Sequence, residues 1–127
     1  MRNRFAVALL AIGTATTAAA GLFAAAAQAE SPTTACRQAL TDRDEFHGVC
    51  LWAEQDFQGE MTVLTNFQGT DKCGNLSPTA KSAVNLSDEE HLFYQGSGCQ
   101  WQLFVGAVQP WESRAEFKED AAAGSWR

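Results

Sequence analysis

The 127-residue chain carries 15 acidic and nine basic residues, a formal charge of −6, and 46% hydrophobic composition. An acidic balance of this size argues against a surface built for nucleic acid or an anionic membrane, since both need clustered Lys and Arg. The length allows one domain preceded by a short processed segment.

Arg2 and Arg4 open the chain, an alanine-rich apolar stretch follows from Phe5 to about Ala26, and Ala27-Gln28-Ala29 supplies a small-residue ending. Positive start, apolar middle and A-x-A end predict a secretory signal peptide over residues 1–29. A membrane anchor is disfavoured, because alanine and threonine are weakly hydrophobic and no basic stop-transfer cluster follows. The remaining 98 residues, 30–127, form a single expected domain with seven basic and 15 acidic residues, a formal charge of −8. A secreted, extracellular protein is expected. A domain of that size buries only about 60–65% of its unfolded surface, so covalent restraint should supplement the core.

Four cysteines can supply it. Cys36, Cys50, Cys73 and Cys99 are separated by 13, 22 and 25 residues, which matches no zinc pattern, and no C-x-x-C occurs. An even number in an oxidising compartment favours two disulfides, with three pairings open.

Residues 30–45 show little pattern and read as an extended lead-in tied down by Cys36. Beyond them come short apolar runs, GVCLWA, EMTVLTNF, SAVNL, HLFYQ and WQLFVGAV, broken by glycine and turn residues. Such runs predict an all-β sandwich or barrel. The stretch ESRAEFKEDAAA, residues 112–123, suits either a helical turn or a strand followed by a loop.

Trp52, Phe57 and Gly59 in CLWAEQDFQGEM set an aromatic, a second aromatic and a glycine at close spacing. Sliding the sequence by 42 places sets Trp52 on Tyr94, Phe57 on Cys99, Met61 on Leu103 and Ser82 on Gly124. Two related motifs result, about residues 46–86 and 88–127. Each is too short to bury its own apolar face, so the two should pack together.

LWAEQDFQG resembles the folded hairpin of the βγ-crystallin Greek key, in which Trp52 would cap the turn holding Phe57 and Gly59, as Tyr94 would in the second motif. A closer resemblance is to actinobacterial secreted metalloproteinase inhibitors (peptidase inhibitor family thirty-six). It is carried by VCLW (49–52), CGNL (73–76), KSAVN (81–85), LFYQGSGCQW (92–101) and GSWR (124–127). It covers essentially the whole of residues 30–127, and CGNL followed by SAVN is its most specific part. The resemblance implies a Greek-key sandwich of two motifs with two disulfides, Cys36–Cys50 and Cys73–Cys99. It also implies a secreted protease as partner. Trp101 stands where the second hairpin should have glycine, so that turn must differ or be strained. The lead between Cys36 and Cys50 is longer than the family pattern.

Calcium sites of βγ-crystallins use an N/D-N/D-x-x-S/T-S run. The matching windows, PTAKSA (78–83) and DAAAGS (120–125), lack most of those ligands, so no metal or cofactor is expected. Catalysis is not expected either. His47 and His91 are the only histidines, GSG at 96–98 reads as a turn, and the Glu54 and Asp56 carboxylates look like surface charge. Trp52, Phe57, Phe93, Tyr94 and Phe104 read as core or hairpin residues, while Trp101, Trp111 and Trp126 should be partly buried.

An inhibitor needs a rigid exposed loop whose ordering cost is already met. Two candidate loops qualify: residues 65–74, with Asn66, Phe67, Gln68 and Gly69, and residues 95–101, with Gln95, Gly96, Ser97, Gly98, Gln100 and Trp101. Both could instead be ordinary connections. The expected function is a monomeric secreted peptidase inhibitor of metalloproteases, acting through a disulfide-anchored loop. The alternative is a non-inhibitory structural or toxin-like binding module.

Overall fold

The computed structural model describes residues 29–67 and 72–127, so the expected signal peptide up to residue 28, and Gln68 and Gly69, lie outside the described residues. Eight strands form two four-stranded antiparallel sheets. They are β1 (Gly48–Trp52), β2 (Met61–Leu64), β3 (Gly74–Ala80), β4 (Ser82–Leu86), β5 (His91–Gln95), β6 (Phe104–Val108), β7 (Ser113–Arg114) and β8 (Ala123–Trp126). One sheet has the order β2-β1-β4-β7 and the other β3-β8-β5-β6. Each half of the chain therefore places three strands in its own sheet and sends its third strand, β3 or β7, to the edge of the other.

Period-two alternation sorts the side chains. Val49 and Leu51 face Ala83, Phe93, Val105, Val108 and Phe117 in a core between the sheets. Their neighbours Cys50 and Trp52 point the other way, into a second cluster with Leu40, Val84 and Leu86. That outer face is covered by a helix, α1 (Pro32–Thr41), which buries Cys36, Ala39 and Leu40. The helix replaces the extended lead-in expected for residues 30–45. Its start is legible in retrospect: Ser31 Oγ accepts from Thr34 N–H at 3.2 Å and Pro32 occupies the first turn, where a missing N–H costs nothing. Only three residues of the helix are buried, so the apolar spacing that announces an amphipathic helix is sparse.

Both disulfides form, Cys36–Cys50 and Cys73–Cys99. The first staples the helix to the centre of β1. In the uncertain stretch 112–123, the strand-then-loop reading applies: β7 has two residues, and Phe117 then drops into the core from an irregular segment.

The two halves repeat a local device. In the first, Asp56 and Phe57 adopt φ of +54° and +60°, and the buried Ser82 hydroxyl accepts from Phe57 N–H at 3.0 Å while donating to Glu54 O at 2.7 Å. In the second, Gly98 and Cys99 adopt φ of +82° and +48°, and Ser125 Oγ accepts from Cys99 N–H at 3.0 Å. Trp52 pairs with Ser82 and Tyr94 with Ser125, which makes those serines equivalent. The 42-residue offset therefore holds from Trp52 to Phe57 but becomes 43 beyond the hairpin turn, and Ser82 matches Ser125 rather than Gly124. The extra length lies in the second hairpin, where Tyr94 pairs with Phe104 while Trp52 pairs with Met61, one residue sooner. Met61 consequently matches Phe104, not Leu103.

Removing either serine hydroxyl leaves a half-buried backbone donor without its partner, at a cost towards the lower end of about 1–3 kcal/mol. Ser82→Ala and Ser125→Ala are each expected to lower the urea-unfolding free energy by that amount. Ser82→Ala should be the more costly, because its oxygen serves two backbone groups.

Candidate functional site: the loop anchored by Cys73–Cys99

After β5 the chain turns at Gly96 (φ +71°) and Gly98 (φ +82°), conformations that a side chain resists. The loop then folds back over β8. A Cβ built on Gly124 would lie 2.7 Å from Gly96 O, so this approach depends on glycine at 124. Three restraints hold the loop: the Cys73–Cys99 bond, the Cys99 N–H to Ser125 Oγ bond, and a 3.2 Å bond from Gly98 N–H to Asn75 Oδ1. Leu103 N–H donates to Gln100 O at 2.8 Å and closes a short 3₁₀ turn, Trp101–Leu103.

That turn is where the second hairpin spends its extra residue, and it resolves the missing glycine. Gly59 takes φ +81° in the first hairpin, whereas Trp101 begins the 3₁₀ turn and has no positive φ. Its ring projects, 76% exposed, contrary to the expected partial burial. Leu103 (37%) and Phe104 (44%) are exposed beside it in the chain. Phe104, expected as a core or hairpin residue, is not in the core but at the hairpin base, with its ring edge-on to buried Tyr94 at 5.9 Å. Leu103 and Phe104 were therefore missed as site residues, because their apolar character reads as burial. Gln95, Gly96, Ser97, Gly98 and Gln100 are all exposed.

The loop at 65–74 differs in character. Asn66 is exposed, but Phe67 turns inward, lying tilted over His91 at 4.3 Å and edge-to-face with Trp126 at 5.6 Å. Of the hairpin residues, Trp52 is buried and meets Phe57 edge-to-face at 5.5 Å, below the turn that Gly59 completes. A cavity of about 190 Å³ opens between Phe67, His91, Trp126 and the start of β3.

His91 and Ser87 lie 3.1 Å apart, a nucleophile–base distance, yet the protons run the wrong way. The Ser87 hydroxyl has one hydrogen, and its shortest contact is 2.7 Å to Asn85 Oδ1. His91 Nε2 therefore donates to Ser87 rather than taking its proton. Both residues are buried, and the pair is a structural brace. The hydroxyls of Ser82 and Ser125, in the two windows compared with calcium sites, are occupied by the hairpin backbones. No group of three or more His, Cys, Asp or Glu suited to a metal occurs among the described residues. The carboxylate of Glu54 pairs at 3.9 Å with Lys81.

No family model matches this chain, and neither a curated protein nor a solved structure does.

Burial lowers the His91 pKa below its usual 6.5 by penalising the charged form. The unfolded chain then binds a proton near pH 6.5 that the folded protein refuses. Stability is full above that pH and falls as the pH drops towards the folded-state value. His91→Gln is expected to flatten the stability–pH slope between pH 6.5 and 5, measured by urea unfolding.

The two disulfides differ in access. Cys36 and Cys50 are fully buried, whereas Cys73 is exposed and Cys99 half-buried. Thiolate attack requires contact with a sulfur. Mild reductant followed by alkylation and peptide mapping is expected to label Cys73 and Cys99 at least tenfold faster than Cys36 and Cys50.

Proposed function

We propose that this chain is a secreted proteinaceous peptidase inhibitor of βγ-crystallin-type Greek-key fold, directed at metalloproteases and acting through residues 95–103. The exchange of β3 and β7 between the two sheets supports the fold reading, as does the serine-bonded hairpin in each half. Sequence elements VCLW, CGNL and KSAVN support the family reading.

One observation carries the functional reading: an exposed loop with two apolar side chains, Trp101 and Leu103, and exposed Phe104 at its base is held by a disulfide and by hydrogen bonds to two other strands. A protease cleft binds an extended segment, and a flexible segment loses affinity to the cost of ordering it. Here that cost falls on folding. If the loop were cut, the covalent tie at Cys99 and the bonds to Asn75 and Ser125 would retain the new ends. Trp101, with Leu103 and Phe104 nearby, provides the apolar area that dominates interface energetics.

Stoichiometric titration of the oxidised protein against a thermolysin-like metalloprotease is expected to abolish peptidase activity, and a subtilisin-like serine protease serves as comparison. Trp101→Ala should weaken inhibition at least tenfold while leaving the urea midpoint unchanged, because the ring contributes little to the fold. No inhibition of either protease by folded protein would direct attention to the non-inhibitory binding module.

A further inference from the structure

The cavity of about 190 Å³ lies at the edge of the core between the sheets, by the starts of β3 and β5 and the end of β8. Phe67, His91 and Trp126 line it and pack on one another, with ring centroids 4.3, 5.6 and 5.7 Å apart. Phe67 and Trp126 also pack against the main core, which fixes this aromatic wall. Trp126 leans on β3 because residue 74 is glycine: a Cβ there would lie 2.5 Å from Trp126 Nε1. Four exposed charged residues border the cavity, Lys72 and Arg127 against Glu89 and Glu90, so the two signs balance.

Two ring nitrogens on this wall have no hydrogen-bond partner among the described residues, His91 Nδ1 and Trp126 Nε1. His91 is only 2% exposed, and a buried network decides which of its nitrogens carries the hydrogen. Asn85 Nδ2 donates to Glu89 O at 2.7 Å and to Val108 O and Gln109 O at 3.1 Å each, tying the β4–β5 link to the β6–β7 turn. Its Oδ1 is thereby turned to Ser87 and takes the hydroxyl hydrogen at 2.7 Å. Ser87 Oγ in turn accepts from His91 Nε2 at 3.1 Å. A neutral imidazole has one hydrogen, so Nδ1 is left an acceptor. No fully buried side-chain nitrogen or oxygen lacks a partner among the described residues. Nδ1 therefore reaches open space, and the cavity is the open space that His91 lines. The Trp126 indole N–H, over Gly74 on the same wall, is a donor without an acceptor.

We infer that this cavity binds a neutral phenol, a single aromatic ring bearing a hydroxyl. The hydroxyl donates to His91 Nδ1 and accepts from Trp126 Nε1–H, two groups that a hydrocarbon would cut off from water and leave unpaired. The ring lies among Phe67, His91 and Trp126, where offset and edge-on contacts add to the burial of apolar surface. An apolar cavity of about 150 Å³ holds one benzene ring, so a space of about 190 Å³ suits one ring with a small substituent. The balanced charges at its border give an ion no advantage. A free phenolic compound and the tyrosine side chain of a protein partner offer this same chemistry. The inference does not depend on the inhibitory loop.

Titration of the purified, oxidised protein with p-cresol, toluene and N-acetyltyrosine amide, followed by NMR of the assigned tryptophan indole N–H groups, tests it. p-Cresol is expected to bind at least tenfold tighter than toluene and to shift the Trp126 indole resonance more than that of any other tryptophan. Trp126→Phe, which keeps a ring and loses the donor, should weaken p-cresol at least fivefold and toluene less than twofold. Phe46→Ser removes a ring that is 90% exposed and outside the cavity, and should change p-cresol binding less than twofold. If Trp126→Phe does not fold, the p-cresol to toluene ratio and the indole shift in the unaltered protein decide. Saturable binding of the tyrosine amide would assign the site to a partner's tyrosine, and its exclusion beside p-cresol binding would assign it to free phenols. Failure of p-cresol to bind would overturn the inference, as would equal affinity for toluene or a largest shift at another tryptophan.

Discussion

The fold depends on one exchange: neither half of the chain completes its own sheet. β3 crosses to pair with β8, and β7 crosses to pair with β4, so each sheet is closed at one edge by the other half. A half on its own would leave Leu51, Phe93 and Ala83 facing water, because the core they share lies between the sheets. The hairpins, the helix and the exposed loop are all placed by that arrangement. β8, which supplies Ser125 and Gly124 to the loop, is itself flanked by β3 from the first half and β5 from the second.

Within this frame the same hydroxyl does similar work twice, and the difference between the two uses produces the candidate site. Ser82 holds a short hairpin whose aromatic, Phe57, packs inward on Trp52. Ser125 holds a longer one whose equivalent position, Cys99, is bonded to Cys73 instead. The disulfide takes the place of an aromatic contact, and the added residue leaves Trp101 on the surface. A hairpin that is structural in the first half thus becomes a rigid display in the second. Asn85 does comparable work at the other end, fixing two loops from a buried position and setting the orientation of the Ser87–His91 pair.

Much of the fold was legible because strands announce themselves through brief apolar runs between turns, and β1, β2, β4, β5 and β6 all fall within such runs. The duplication was legible too, but only to within a residue: an insertion in a hairpin leaves no mark on composition, and pairing alone reveals that Ser82 answers to Ser125. The helix was not anticipated, since Ala35, Ala39 and Leu40 make a weak stripe and the Ser31–Pro32 start is a two-residue signal. In the site, the glycines and Cys99 were visible as turn chemistry. Phe104 and Leu103 were not, because an apolar residue next to a strand reads as core unless the register is known.

The central claim is that residues 95–103 form the surface that meets a protease. Hydrogen exchange measured by mass spectrometry, on the protein alone and mixed with a thermolysin-like metalloprotease, tests it most directly. The account predicts that added protection concentrates in peptides spanning residues 95–104. Protection confined to other segments, or none at all at concentrations that saturate the protease, would contradict it.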